Sequence, residues 1–246
     1  MKNKTYRILL LSFVSLMGNS IFAEAKPLPE FNAGSMNWGT QRYKFTLIKN
    51  KEKIELGSVT LRNKLAKDRV ILKDEFLLSI EGKPISLNMT QDCLKDQYLS
   101  PVKIECKGKG DEEFPTFKAT IKDGQAKIDL PPTGRRDGMM EIPKGTVTSA
   151  AFMRIVTQLP RVEGATYRYD FALEASEMNL KKEYLAKVIG KETIICDGVP
   201  VKCWKISQNG GGIDEKLFWV TENGILQRIL MDRRKQIDLQ TGEPGD

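Results

Sequence analysis

The chain has 246 residues, 40% hydrophobic and 29% charged, with a formal charge of +7 and no histidine. The missing histidine excludes a Ser-His-Asp arrangement, an imidazole general base and any His-ligated metal site. Basic residues are mixed with acidic ones, as in KNKEKIE at 49–55, so the single-sign field that a nucleic-acid surface needs is not expected.

The first 25 residues carry an address. Lys2, Lys4 and Arg7 precede an apolar run at 8–17 (ILLLSFVSLM), and small residues follow at Ala23 and Ala25. That order is the pattern of a secretory signal peptide, with cleavage expected after Ala23 or Ala25. The run is well short of the roughly 20 apolar residues of a membrane span. Loss of 1–25 removes three positive charges and one negative, taking +7 to +5. No cysteine lies in residues 1–30, so the exported protein is expected to be soluble and free of a lipid anchor, in the periplasm or secreted.

Turn signals then recur every ten to fifteen residues: Glu81-Gly82, Asp123-Gly124, Asp197-Gly198 and Asn223-Gly224. Asp-Gly and Asn-Gly tolerate positive φ and mark hairpins. Between them, Tyr43, Phe45 and Leu47 alternate with polar residues, as do Tyr167, Tyr169, Phe171 and Leu173. Period two places one set on a buried sheet face. Further strands are expected at 54–61, 69–80, 84–90, 102–107, 115–121, 125–130, 183–189, 192–196, 201–207, 216–221 and 224–231. The fold class is mainly β (α+β): a curved antiparallel meander sheet or half barrel.

One segment departs from this period. In TSAAFMRIVTQL (148–159), Phe152, Ile155, Val156 and Leu159 fall at i, i+3, i+4 and i+7, one stripe of a helix. Thr148 or Ser149 caps its start, and Pro160 stops it. The stripe is expected to pack on the apolar sheet face. The irregular stretch 131–138 (PPTGRRDG) divides an N-terminal β-rich portion, 26–130, from a C-terminal helix-plus-sheet portion, 131–246; the two read equally as one continuous domain. Asn209-Gly210-Gly211-Gly212 reads as a loop.

Four cysteines remain, and an even count in an exported chain points to disulfides. Cys93 and Cys106 flank a turn around Pro101, and Cys196 and Cys203 flank DGVPVK, so local pairs Cys93–Cys106 and Cys196–Cys203 are expected across hairpins. Neither spacing is a zinc knuckle or a Cys-x-x-Cys redox motif.

No catalytic, cofactor or metal motif is present: the sequence has no GxSxG, Walker or dinucleotide pattern. Asp111-Glu112-Glu113 and the pair Glu174 and Glu177 read as solvated charge. The aromatics Tyr169, Phe171, Trp204 and Trp219, with the helix stripe, form a candidate apolar face, serving either the core or a ligand cavity in a curled sheet.

Residues 164–238 carry a recognisable arrangement. GATYRYDFALEASEMNL is followed by YLAKVIGKETI, the hairpin CDGVPVKCWKIS, and KLFWVTENGILQRI. Gly190-Lys191-Glu192 leads into the hairpin, and Trp219-Val220 crosses Asn223-Gly224 into a final amphipathic strand. This third of the chain resembles a group of uncharacterised exported bacterial proteins whose domain looks like the Lol-type lipoprotein-carrier half barrel. The resemblance implies a curved antiparallel sheet with a helix in its concavity, and an apolar ligand or acyl chain. It brings no catalytic residues, and fold alone does not establish function.

Three functions are therefore expected, in this order. The first is non-enzymatic binding of a lipid, acyl chain or envelope protein. The second is a structural or interaction module of the envelope. The third is a carboxylate-dependent hydrolase.

Overall fold

The meander follows from alternation and turn chemistry. In a computed structural model of the chain, residues 25–36, 38–110, 116–130, 138–210, 213–232 and 234–240 are described. Residues 1–24 of the expected signal peptide 1–25, the acidic cluster 111–113, the connection 131–137, Gly211-Gly212 and Arg233 lie outside them. The first strands are β1 (Lys26–Pro27), β2 (Gly39–Lys49), β3 (Glu52–Leu65), β4 (Arg69–Ile80), β5 (Lys83–Leu94) and β6 (Pro101–Lys109). Then come β7 (Phe117–Lys122), β8 (Gln125–Asp129), β9 (Gly138–Glu141) and β10 (Thr146–Thr148). Along β5, Ile85, Leu87, Met89, Gln91 and Cys93 are buried while the residues between them face out. Glu81-Gly82, Asp123-Gly124 and Asp197-Gly198 take positive φ at both central positions, the geometry of two-residue hairpin turns.

Helix α1 (Ser149–Ile155) follows β10 and continues as a 3-10 turn at Val156–Gln158. The Thr148 hydroxyl accepts from the Ala151 amide at 3.1 Å, as expected of the cap. A helix this short is held by packing rather than by propensity. Phe152, Ile155, Val156 and Leu159 are all buried, as the stripe predicts. The chain ends in β11 (Thr166–Glu174), β12 (Asn179–Cys196), β13 (Val199–Gly210), β14 (Ile213–Val220), β15 (Leu226–Met231) and β16 (Lys235–Leu239). Of the loop expected at 209–212, Asn209 and Gly210 belong to β13, and Gly211-Gly212 lie outside the described residues.

All sixteen strands of the described residues form one sheet. Strands β2–β9 make one meander and β11–β16 a second, fused where β16 pairs antiparallel with β2. The sheet is mixed, because β1 and β10 each pair in parallel with β11. It curls strongly: Thr148 on β10, at one end of the strand order, donates to Gln91 Oε1 on β5 at 2.6 Å. The path is barrel-like but open, with β9 and the β1/β10 side as its two edges. Helix α1 lies in the concavity, inside the main core. Phe152 stacks on Tyr169 at 5.3 Å and meets Phe218 edge-on at 5.4 Å. A second core joins β5–β8 to Leu173 and Ala175, and a third, on the outer face, groups Ile194, Cys196, Cys203 and Trp219. No helix of the described residues is long and apolar enough to cross a membrane.

The cysteine pairing is corrected. Both hairpins form, yet their registers keep the cysteines apart. Cys93 faces Pro101 and Cys106 faces Met89. Cys196 faces Val199 and Cys203 faces Glu192. Each pair is at least four positions out of step, roughly 13 Å or more along a strand that rises about 3.3 Å per residue. A disulfide tolerates Cα separations only up to about 7 Å. The four cysteines are free thiols, all buried.

Burial raises the thiols of Cys106, Cys196 and Cys203 from 9.0 to about 11, and that of Cys93 further. Below pH 9 both folded and unfolded chains hold these protons. Between about pH 9 and 11 only the unfolded chain releases them, so stability is expected to fall over that window. Urea unfolding from pH 8 to 11 measures this, and a flat profile would contradict buried thiols.

Candidate ligand-binding site

The concave face collects polar groups that the apolar pattern does not need. On β4 the inward positions read Val70, Leu72, Asp74, Phe76 and Leu78, so a carboxylate sits in the core phase. Asp74 is 2% exposed and Arg154 of α1 is 4% exposed. Arg154 Nη2 donates to Asp74 Oδ1 at 2.7 Å, its Nε donates to Asn63 Oδ1 at 2.8 Å, and its Nη1 donates to the Ala150 carbonyl at 3.2 Å. Asp74 Oδ2 has no partner among the described residues. A buried polar atom left in this way is rare in native proteins and calls for a reason.

Above this pair is a cavity of about 150 Å³. Its apolar walls include Phe76, Leu87, Met89, Met153, Phe218 and Ile229, and Asp74 is part of the lining. On its rim Lys216 Nζ meets Glu174 Oε1 at 2.8 Å, and the Gln208 amide donates to the Tyr169 hydroxyl. Burial holds the Tyr169 hydroxyl well above the ordinary tyrosine range, and it raises Tyr184 to about 12 with help from Glu174. Both phenols therefore stay neutral at physiological pH.

A larger cleft of about 570 Å³ lies at the tips of β3–β6, lined by Leu56, Gly57, Leu77, Leu78 and Ile85 among others. Gly57 lets the β3 and β4 backbones close in: at its positive φ, an added Cβ would sit 2.0 Å from the Leu77 carbonyl oxygen. Phe76 pairs with Leu87, and two positions further along the same face Leu78 pairs with Ile85. These are adjacent apolar pairs on one face, with Phe76 and Leu87 lining the cavity and Leu78 and Ile85 lining the cleft.

The expected site residues separate into two groups. Phe152, Ile155, Val156, Leu159, Tyr169 and Trp204 belong to the main core around the helix. Phe171 is half-buried and outside the three cores. Trp219 lies on the opposite face of β14 from Phe218, where its indole N–H donates to Glu192 and Arg228 lies 5.8 Å from its ring. The tip of the β12–β13 hairpin bends over this outer face, and the Ile195 carbonyl accepts from Arg228 Nη2 at 2.6 Å. A bulge between Val188 and Gly190 allows the bend. Asp74, Arg154 and Met153 were not singled out by sequence, although Asp74 broke an otherwise apolar alternation.

No protein-family model and no curated protein sequence matches the chain. Among solved structures, it is similar to a beta-barrel-like protein of the domain of unknown function DUF1849 from Brucella abortus. The TM-score is 0.53 at 12% identity, over 82% of this chain and 98% of that one. It is also compared with the hypothetical lipoprotein YmcC from Escherichia coli K12, with TM-score 0.34 at 12% identity, over 87% and 92%. The first likeness supports the barrel-like fold and nothing finer; the second is too distant to carry an argument.

Proposed function

We propose that this is an exported, non-enzymatic binding protein whose concave face takes a hydrophobic or amphipathic molecule of the cell envelope. The observation that carries the reading is the adjacency of two apolar pairs on one face, Phe76–Leu87 on the cavity and Leu78–Ile85 on the cleft. The cavity alone, at about 150 Å³, is small beside ordinary ligand pockets of about 300–1,000 Å³, but the adjoining cleft of about 570 Å³ is within that range. The resemblance of residues 164–238 to the Lol-type carrier half barrel points the same way. Hydrolysis by paired carboxylates is poorly served here. The two carboxylates of the cavity, Asp74 and Glu174, are each held by a cation rather than facing a shared substrate position.

A second reading, an envelope module with no small ligand, draws on the helix itself. Phe152, Ile155, Val156 and Leu159 fill the centre of the concavity where a carrier would hold its cargo. Native mass spectrometry of protein taken from its own host separates the two. A lipid-sized adduct is expected, on a polypeptide beginning at Glu24 or Lys26. Protein without an adduct would favour the second reading, and a chain retaining Met1 would contradict export.

A further inference from the structure

We infer that the molecule bound on the concave face presents an uncharged hydrogen-bond donor, a hydroxyl or an amide N–H, to Asp74 Oδ2; this rests on the binding reading above. Asp74 is almost fully buried and lines the cavity. One of its oxygens is taken by Arg154 at 2.7 Å, and the other has no donor among the described residues. A carboxylate oxygen accepts and cannot donate, so the group that completes it must carry the hydrogen.

Charge then narrows the class. Arg154 balances Asp74, and Lys216 balances Glu174 at 2.8 Å, so the ionised side chains of the cavity cancel. A cationic head would bring an uncompensated charge into an apolar space, which is costly. A carboxylate or phosphate head would oppose lone pairs to lone pairs at Oδ2. A neutral donor satisfies Oδ2 and leaves both ion pairs intact. The space also limits size. A dry cavity of about 150 Å³ holds a single benzene ring, and the one here has that volume. The ligand is therefore an alcohol, a phenol or an amide. Its polar end is compact, and its apolar body lies against Met153, Phe218 and Met89 or runs toward the cleft.

Phenol and toluene are a matched pair of probes, nearly equal in shape and differing by the donor. They are titrated into the protein as isolated, with ¹³C-methyl methionine NMR following Met89, Met153 and Met231 around the cavity. In a wholly apolar cavity phenol would bind more weakly, because its hydroxyl loses water without a partner. With Asp74 Oδ2 as partner, phenol is expected to bind at least about tenfold more tightly than toluene. Toluene binding as well as or better than phenol would overturn the donor assignment while leaving an apolar site in place. If neither probe moves these methyl signals, the cavity is not a binding site and the reading beneath the proposal falls too.

Asp74→Asn sharpens the result. Its oxygen keeps the contact to Arg154 and its amide nitrogen replaces Oδ2, turning the acceptor into a donor. Phenol can still accept from that amide, but the charge-assisted bond to a carboxylate is lost, so the phenol-to-toluene ratio is expected to fall at least about threefold, and an unchanged ratio would overturn the proposal. Should that variant fail to fold, the phenol-to-toluene ratio of the unaltered protein decides alone.

Discussion

Arg154→Met is expected to destabilise the protein by about 3–5 kcal/mol, the typical cost of breaking a buried ion pair by removing one partner. The magnitude follows from what stays behind. Asp74 would keep a buried carboxylate with its guanidinium partner gone and its second oxygen already unpartnered. Asn63 would lose the Nε donor and the Ala150 carbonyl its Nη1 contact. The double change Arg154→Met with Asp74→Leu removes the charge as well as its partner. It is expected to recover most of the loss, because well-packed apolar residues often replace buried ion pairs at little cost. Urea unfolding of the two variants and the parent closes the comparison. A near-neutral Arg154→Met would mean that the pair is not buried as described.

Phe152→Ala is expected to cost about 3–5 kcal/mol, the range for truncating a fully buried aromatic. Phe152 is 1% exposed, stacked on Tyr169 and edge-on to Phe218, and Tyr169 is in turn stacked on Tyr184 at 5.2 Å. Truncation opens a hole between α1, β11 and β14 that these rings cannot close without leaving their strands. A loss below about 2 kcal/mol in urea unfolding would show that the helix covers adaptable space rather than a packed core.

The helix was legible in the sequence because its signals are local. The stripe at Phe152, Ile155, Val156 and Leu159, the Thr148 cap and Pro160 all lie within thirteen residues. Most strands were legible for the same reason, through alternation and two-residue turns. The seam between β16 and β2 was not, since it joins the two ends of the chain and no local pattern marks it. Nor were β1, β9 and β10, which are too short to display a period, or β16, where Gln236 and Ile237 are buried side by side and break the alternation. The cysteine pairing failed on register. The Asp197-Gly198 turn sets Cys196 against Val199, and that leaves Cys203 against Glu192. The candidate site was legible only in part. Asp74 is a charge in an inward phase, a signal the sequence reading passed over, and Arg154 is eighty residues away and sits beside the helix stripe rather than on it. The cavity and cleft depend on the curl of the sheet, which sequence periodicity does not encode.

Occupancy of the concave face is tested most directly by comparing Leu78→Lys with the unaltered protein in native mass spectra, both isolated from the native host. Leu78 is half-buried and lines the cleft, so a lysine there places charge where an apolar chain would lie without emptying the core. The expected result is a lipid-sized adduct on the unaltered protein and its loss from a folded Leu78→Lys variant. An adduct retained in full by that variant, or absent from both proteins, would contradict ligand binding on the concave face.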